Sequence, residues 1–307
     1  LDYKDLLNKI KEFQKILNDR NILMDLIRDE LSEIKENFGD ERRTKFEELI
    51  NFSKEDLTKE EDLVVTLSNA GYVKAQPIHL YTSQKRGGRG KTAATVKDED
   101  FIEKLFVANS HDTILCFSSL GKVYWLKVYD IPQSGRSAKG KAIVNILPLA
   151  QYEKITAIQK VSKYDENLFV LMATSKGVIK KTKLSDFSRP RSSGLIAINL
   201  KDGDNLIEVS ITNGEKQIML FSSAGKAIRF NESDVNCVGR SAAGVKGITI
   251  EKDNNVISMI TSNKDSNEDI LIATENGYGK RTDINEFSLQ KRSGKGNIAV
   301  KTSTRNG

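Results

Sequence analysis

Cysteine, proline, histidine and tryptophan are all scarce in this chain of 307 residues, which holds two, four, two and one of them. Cys116 and Cys237 lie far apart without C-x-x-C spacing, which excludes a disulfide framework and a zinc ribbon. His79 and His111 sit in no metal-ligand or Ser-His-Asp spacing, so each reads as a strand or loop residue rather than a base. No charged-then-apolar leader and no long apolar run occurs, and the sequence starts at Leu1. The expectation is a soluble cytoplasmic fragment with no membrane association. The acidic stretches Asp98-Glu99-Asp100 and Asp202-Gly203-Asp204 lack the spacing of a calcium loop and read as solvated turns. No catalytic residue and no metal site is expected.

What the chain does have is charge, unevenly spread. Residues 1–60 hold 12 Lys/Arg against 16 Asp/Glu, leaving 36 against 26 for residues 61–307, so the second part by itself carries about +10 where the whole chain carries +6. A basic domain concentrates polyanions by releasing their condensed counterions, which makes nucleic acid the natural partner.

Leu6, Ile10, Phe13, Leu17, Met24, Ile27, Leu31, Ile34 and Phe38 recur at alternating four and three spacing, broken only at Arg20. That is a heptad seam, which over residues 1–39 suits a plain helical hairpin packed on a neighbour as well as the helical tail of a coiled-coil arm. The polar run Asn18-Asp19-Arg20-Asn21 competes for backbone hydrogen bonds and should bend or break the helix, which then stops at Gly39. Residues 40–60, charged and poor in apolar side chains, read as a linker or exposed helix.

From residue 61 onward the texture changes to short β-branched runs punctuated by Gly, Asn, Asp and Ser. Five stretches resemble one another: LSNAGYVK (67–74), FSSLGKVYW (117–125), ATSKGVIKK (173–181), FSSAGKAIRF (221–230) and ATENGYGKR (273–281). Their glycines, Gly71, Gly121, Gly177, Gly225 and Gly277, are 50, 56, 48 and 52 residues apart. That is the period of a four-stranded blade, so a mainly β, propeller-like ring is expected over 61–307, each glycine supplying the positive φ of a hairpin turn. Trp125 reads as a blade-packing residue, with a base-stacking platform as the alternative.

A second signature follows each hairpin, a glycine-rich basic loop: QKRGGRGK (84–91), QSGRSAKGK (133–141), SRPRSSG (188–194), GRSAAGVKG (239–247) and QKRSGKG (290–296). One such loop alone reads as a solvated turn. Five at equivalent places should form an arc of cations along one rim, which suits a curved polyanion better than a point ligand. In the densest loop, Gln84, Lys85, Arg86, Gly87, Gly88, Arg89, Gly90 and Lys91, glycine lets backbone N–H groups approach an anion while the cations clamp phosphate oxygens. Arg136, Lys139, Lys141, Arg189, Arg191, Arg240, Lys246, Lys291, Arg292 and Lys295 are expected to share the arc, with Lys180, Lys181 and Arg229 as weaker strand candidates. Gly90-Lys91-Thr92 mimics the end of a P-loop, and Gly88, Gly90 and Ala93 a dinucleotide fingerprint. Both need a helix of amphipathic period next, and TAATVKDEDF has none.

With repeats and loops in hand, the chain resembles the gyrase A family of bacterial DNA topoisomerases. QKRGGRG matches that family's box QRRGGKG with two basic residues exchanged, and EDLVVTLSNAGYVKAQPIHLY, HDTILCFSSLGKVY, ENGYGKRT and EIKENFGDERRT are similar to gyrase A sequence. The resemblance implies a six-bladed β-pinwheel that wraps duplex DNA around its perimeter, preceded by the end of the coiled-coil arm. It further implies two partners, the gyrase B protein and a second gyrase A chain. ATP and magnesium would act in the whole DNA gyrase outside this chain, and the nucleophilic tyrosine would precede it. With five signatures present, a truncated chain and an incomplete or open ring are expected. The alternatives are the tail of the corresponding topoisomerase IV protein and a protein-interaction scaffold.

Overall fold

The computed structural model describes residues 2–44, 52–81, 100–135 and 138–307, and the chain divides into two compact units, Leu1–Asn51 and Phe52–Gly307. In the first unit, helices α1 (Asp2–Asn18) and α2 (Arg20–Phe38) are separated by one extended residue, Asp19. Its carboxylate accepts from the Asn21 N–H at 2.9 Å, which caps α2 and accounts for the break read from the sequence. The seam residues from Leu6 to Phe38 are exposed on both helices.

The second unit repeats one motif. A hairpin of β1 (Asp62–Ser68) and β2 (Tyr72–Pro77) is followed by a returning strand, β3 (Ile102–Asn109). In the next repeats a two-residue strand precedes the return: β4 (Thr113–Ser118), β5 (Lys122–Lys127), β6 (Lys141–Ala142) and β7 (Ile155–Val161). Then come β8 (Phe169–Thr174), β9 (Val178–Lys183), β10 (Leu195–Ile196) and β11 (Leu206–Thr212). The fourth repeat is β12 (Gln217–Ser222), β13 (Lys226–Asn231), β14 (Val245–Lys246) and β15 (Val256–Ser262), and the fifth is β16 (Asp269–Ala273), β17 (Gly279–Asp283) and β18 (Asn297–Ile298).

Each hairpin closes in the same way. The N–H of Gly71, Gly121, Gly177, Gly225 and Gly277 donates to the carbonyl three residues earlier at 2.8–3.0 Å, with φ between 71° and 82°. This left-handed position strains any residue with a Cβ, which is why glycine marks every repeat.

The fourth strand of each blade comes from elsewhere. A 50-residue period suggests four strands per repeat folding together, whereas β6 pairs with β2, β10 with β5, β14 with β9 and β18 with β13. Every two-residue strand therefore crosses to the preceding sheet and completes its edge. Among the described residues four sheets of four strands result, ordered β3, β1, β2, β6; β7, β4, β5, β10; β11, β8, β9, β14; and β15, β12, β13, β18. Among the described residues the fifth sheet holds β16 and β17.

The core lies in layers between successive sheets. Ile114 and Cys116 of β4 pack back toward the first sheet, while Leu115 and Phe117 pack forward toward the third. Val170 and Met172 of β8 face back and Leu171 and Ala173 forward; Ile218 and Leu220 of β12 face back and Met219 and Phe221 forward. Side chains alternate along a strand, so a strand buried on both faces reads as an unbroken apolar run, as these do. Each large apolar side chain so buried contributes about 1.5–3 kcal/mol. The returning strands touch one another from sheet to sheet, Gln159 Nε2 donating to the Val209 carbonyl at 2.6 Å and Ser210 Oγ lying 3.1 Å from Thr261 Oγ1. They form the inner edge, and the exchanged strands form the outer one. This is a β-pinwheel.

Residues 54–59, inside the segment read as a linker, lie against the second sheet. Lys54 pairs with Asp130, Glu55 with Lys127 at 3.3 Å, and Ser110 Oγ donates to the Lys59 carbonyl at 2.8 Å. His111 Nε2 lies 3.0 Å from the Thr58 carbonyl, which gives that histidine a structural place.

Candidate nucleic-acid interface

Each described basic loop connects a hairpin to the exchanged strand, so its position is set by the preceding sheet. The lock has two parts. A glycine ends the loop with φ of 89° at Gly140, 73° at Gly194, 86° at Gly244 and 69° at Gly296. A Cβ there would stand 2.5 Å from the Val73 carbonyl oxygen, 2.6 Å from the Tyr124 ring, 2.7 Å from the Ile179 carbonyl oxygen and 2.5 Å from the Ala227 carbonyl oxygen. After the crossing, the N–H groups of Ile143, Ala197, Gly247 and Ala299 donate to the carbonyls of Gly71, Gly121, Gly177 and Gly225 at 2.8–2.9 Å. In the described loops these glycines serve close approach to the neighbouring hairpin.

The loops consequently recur at equivalent places along the outer edge. Lys139, Lys141, Arg189, Arg191, Lys246, Lys291 and Lys295 are exposed there. The Lys139 ammonium sits 3.7 Å from the centre of the Tyr72 ring, a cation–π contact that spacing alone did not reveal. Arg240 and Arg292 are half-buried. Arg292 donates from Nε to the Asp234 carbonyl at 2.9 Å and from Nη1 to the Lys246 carbonyl at 3.1 Å, so it ties the fourth and fifth repeats together. Glu251 interrupts the positive edge: its hydrogen bond and charge contact with Lys226, 2.6 Å away, hold its carboxyl below the usual range, with Lys295 adding to the effect. Gln84 to Lys91 and Arg136 lie outside the described residues.

The strand cations are a correction. Lys180, Lys181 and Arg229 are buried, because they belong to central hairpin strands covered on both faces. Arg229 donates to Gln217 Oε1 at 2.6 and 2.9 Å and to the carbonyls of Ile284 and Phe287 at 2.7 and 3.2 Å. Lys181 Nζ donates to the Glu232 carbonyl at 3.3 Å. Lys180 is pushed down to about 8, first by burial and then by the neighbouring Arg240 charge. None of the three reaches the rim. Trp125 packs between the second and third sheets, its indole N–H donating to the Phe187 carbonyl at 2.9 Å.

The two nucleotide-loop readings fall on residues outside the described set, and the next described element after them is strand β3 rather than a helix. Among the described residues no group of three or more His, Cys, Asp and Glu could hold a metal ion.

A family model described as the DNA gyrase C-terminal domain, beta-propeller, matches residues 62–109, 112–162, 169–213, 216–263 and 268–306, which are the five repeats. The DNA gyrase A protein of Buchnera aphidicola subsp. Baizongia pistaciae is 50% identical over 309 residues, covering all of this chain and 36% of that protein. That of Haemophilus influenzae is 50% identical over 333 residues, covering all of this chain and 38% of that protein. The chain thus spans roughly a third of the length of these relatives. Among solved structures, the C-terminal domain of a DNA topoisomerase IV aligns with a TM-score of 0.68 at 29% identity, covering 81% of this chain and 75% of that one. A DNA gyrase A C-terminal domain aligns with a TM-score of 0.64 at 27% identity, covering 80% of each. The five repeats, the exchanged-strand sheets and these relatives agree: the chain belongs to the family of DNA gyrase A C-terminal domains.

Proposed function

We propose that the chain binds duplex DNA without sequence specificity and wraps it around the basic outer edge. In this reading residues 61–307 are the wrapping domain, residues 40–60 join it to the arm, and residues 1–39 are the arm's tail. The observation that carries the reading is the repeated lock that holds a cationic loop at the same perimeter position on successive sheets. Smoothly bending a 20–30 bp site by 40–90° costs about 1–6 kcal/mol, more than one loop offsets, so contacts spread over several sheets are what a wrap requires. Phosphate contacts from Lys and Arg supply affinity with little base readout. Wrapping presents a neighbouring segment of the same DNA to a strand-passage enzyme, and in a complex of two gyrase A and two gyrase B chains it would bias ATP-driven passage toward negative supercoils. The chemistry, ATP and magnesium belong to the rest of that assembly, in the bacterial cytoplasm on the nucleoid.

The likeness to a topoisomerase IV domain favours a second reading, a decatenase tail, while the half-identical relatives are gyrase A proteins. The experiment is relaxation of nicked circular DNA, religated with the chain bound. A linking-number shift proportional to bound protein is expected. Salt-sensitive retardation with no shift would reduce the chain to a basic binding surface.

A further inference from the structure

The third residue after each turn glycine touches the loop that crosses from the next repeat in the first four hairpins. Those residues are Lys74, Tyr124, Lys180 and Ile228, and the fifth hairpin has Lys280 at the same position. Where the residue is Tyr124, its ring packs on Gly194; where it is Ile228, its Cδ1 lies 3.3 Å from where a Cβ of Gly294 would stand. Where it is Lys74 or Lys180, the loop that crosses over it reads Gly-Arg-Ser-Ala, at 135–138 and 239–242. Both lysines are buried, with 2% and 0% of their surface exposed. An ammonium taken from water needs acceptors, and both find backbone carbonyls of the crossing segments. Lys74 Nζ donates to the Ala138 carbonyl at 2.9 Å and to the Gly135 carbonyl at 3.4 Å. Lys180 Nζ donates to the Arg240 carbonyl and, at 2.6 Å, to the Ala197 carbonyl, so it joins two successive crossing segments. Asn199 Nδ2 adds a bond to the Ser241 carbonyl at 2.6 Å.

The peptide plane turns this into an orientation. Every described peptide is trans, so a carbonyl drawn inward sends the N–H of the same plane outward. The inward Arg240 carbonyl directs the Ser241 N–H away from Lys180, and the inward Ala138 carbonyl does the same for the Lys139 N–H. Outward amides beside cationic side chains are what an anion needs to dock.

We propose that Lys74 and Lys180 are positioning residues for the rim: each buried ammonium draws backbone carbonyls of the crossing loop inward, those of Gly135 and Ala138 in one case and that of Arg240 in the other, and so sets the Lys139 and Ser241 amides toward a phosphodiester backbone. The phosphodiester half rests on the DNA reading above; the clip itself does not.

The test uses the full 307-residue chain. Lys74→Met and Lys180→Met, singly and together, are compared with Lys280→Met, which alters the same hairpin position at an exposed site. Melting, amide hydrogen exchange at residues 138–142 and 239–246 without DNA, and gel-retardation affinity are measured. Cooperative melting, loop exchange faster by about tenfold, and affinity lower by about fivefold are expected in the first two variants, with Lys280→Met unchanged in both. Unchanged loop exchange in folded variants overturns the clip. Faster exchange with unchanged affinity overturns the assignment to DNA. Should methionine unfold the chain, lysine side-chain NMR of the wild type decides, since two slowly exchanging Nζ groups are expected and their absence overturns the clip. A wild-type chain that does not retard duplex refutes the DNA reading itself, before any variant is made.

Discussion

The amide of Ala299 donates to the carbonyl of Gly225 at 2.9 Å, across the boundary between two repeats. A Cβ on Gly225 would stand 2.2 Å from the Val300 carbonyl oxygen of the same crossing segment, whereas one on Gly277 would meet nothing within 4 Å. Both glycines have left-handed φ, 71° and 82°. Gly277→Ala is therefore expected to lose only the backbone term, about 1–2 kcal/mol. Gly225→Ala adds a backbone clash and should lose clearly more. Urea denaturation of the two variants checks the order, and equal losses would count against the crossing as a tight contact.

Seven loop cations are exposed on the described rim. If each neutralises one phosphate at about −0.9 per contact, the plot of log K against log salt has a slope of about −6 from these residues. Replacing Arg189 and Arg191 with Ala should flatten it by about 2 and weaken binding alike on all sequences. A slope unmoved by that pair would take the third repeat's loop off the DNA path.

Changing Lys85, Arg86 and Arg89 together to Ala is expected to reduce the linking-number shift per bound chain severalfold, with a smaller loss of simple affinity, since the other loops remain. Equal losses in the two assays would show that this loop only adds affinity.

Lys180 makes stability depend on pH with a definite sign. Its folded value is about 8, below the ordinary 10.5, so between those values the unfolded chain holds a proton that the folded chain has released. Raising pH through that window stabilises the fold, by up to about 1.4 kcal/mol per pH unit from this group. Below pH 8 its contribution is flat. The difference in unfolding free energy between wild type and Lys180→Met should grow from pH 8 to 10.5, and a constant difference would contradict the burial of the amine.

Much of this architecture was legible because it rests on single residues. A left-handed hairpin position admits glycine readily and little else, so Gly71 to Gly277 announced five hairpins. Asp19 and its neighbours announced the helix break, for a carboxylate that can bind the Asn21 amide competes with the helix. The strand exchange was not legible. A two-residue strand such as β6 has no periodicity, and a period of about 50 residues is the same whether a repeat keeps its fourth strand or lends it to its neighbour. The burial of Lys180 and Arg229 was hidden for a related reason: the carbonyls that receive them, at Arg240 and Ile284, belong to distant parts of the chain.

A bent duplex is a spring, and it pulls outward on whatever holds it. Because each described loop is anchored covalently in one sheet and by β pairing in the one before, the tension of a wrapped duplex would be shared between two neighbours, as in the overlapping plates of a chain belt. A sheet cannot be peeled away singly without unseating the edge of the next, so the perimeter should yield late and all together rather than loop by loop.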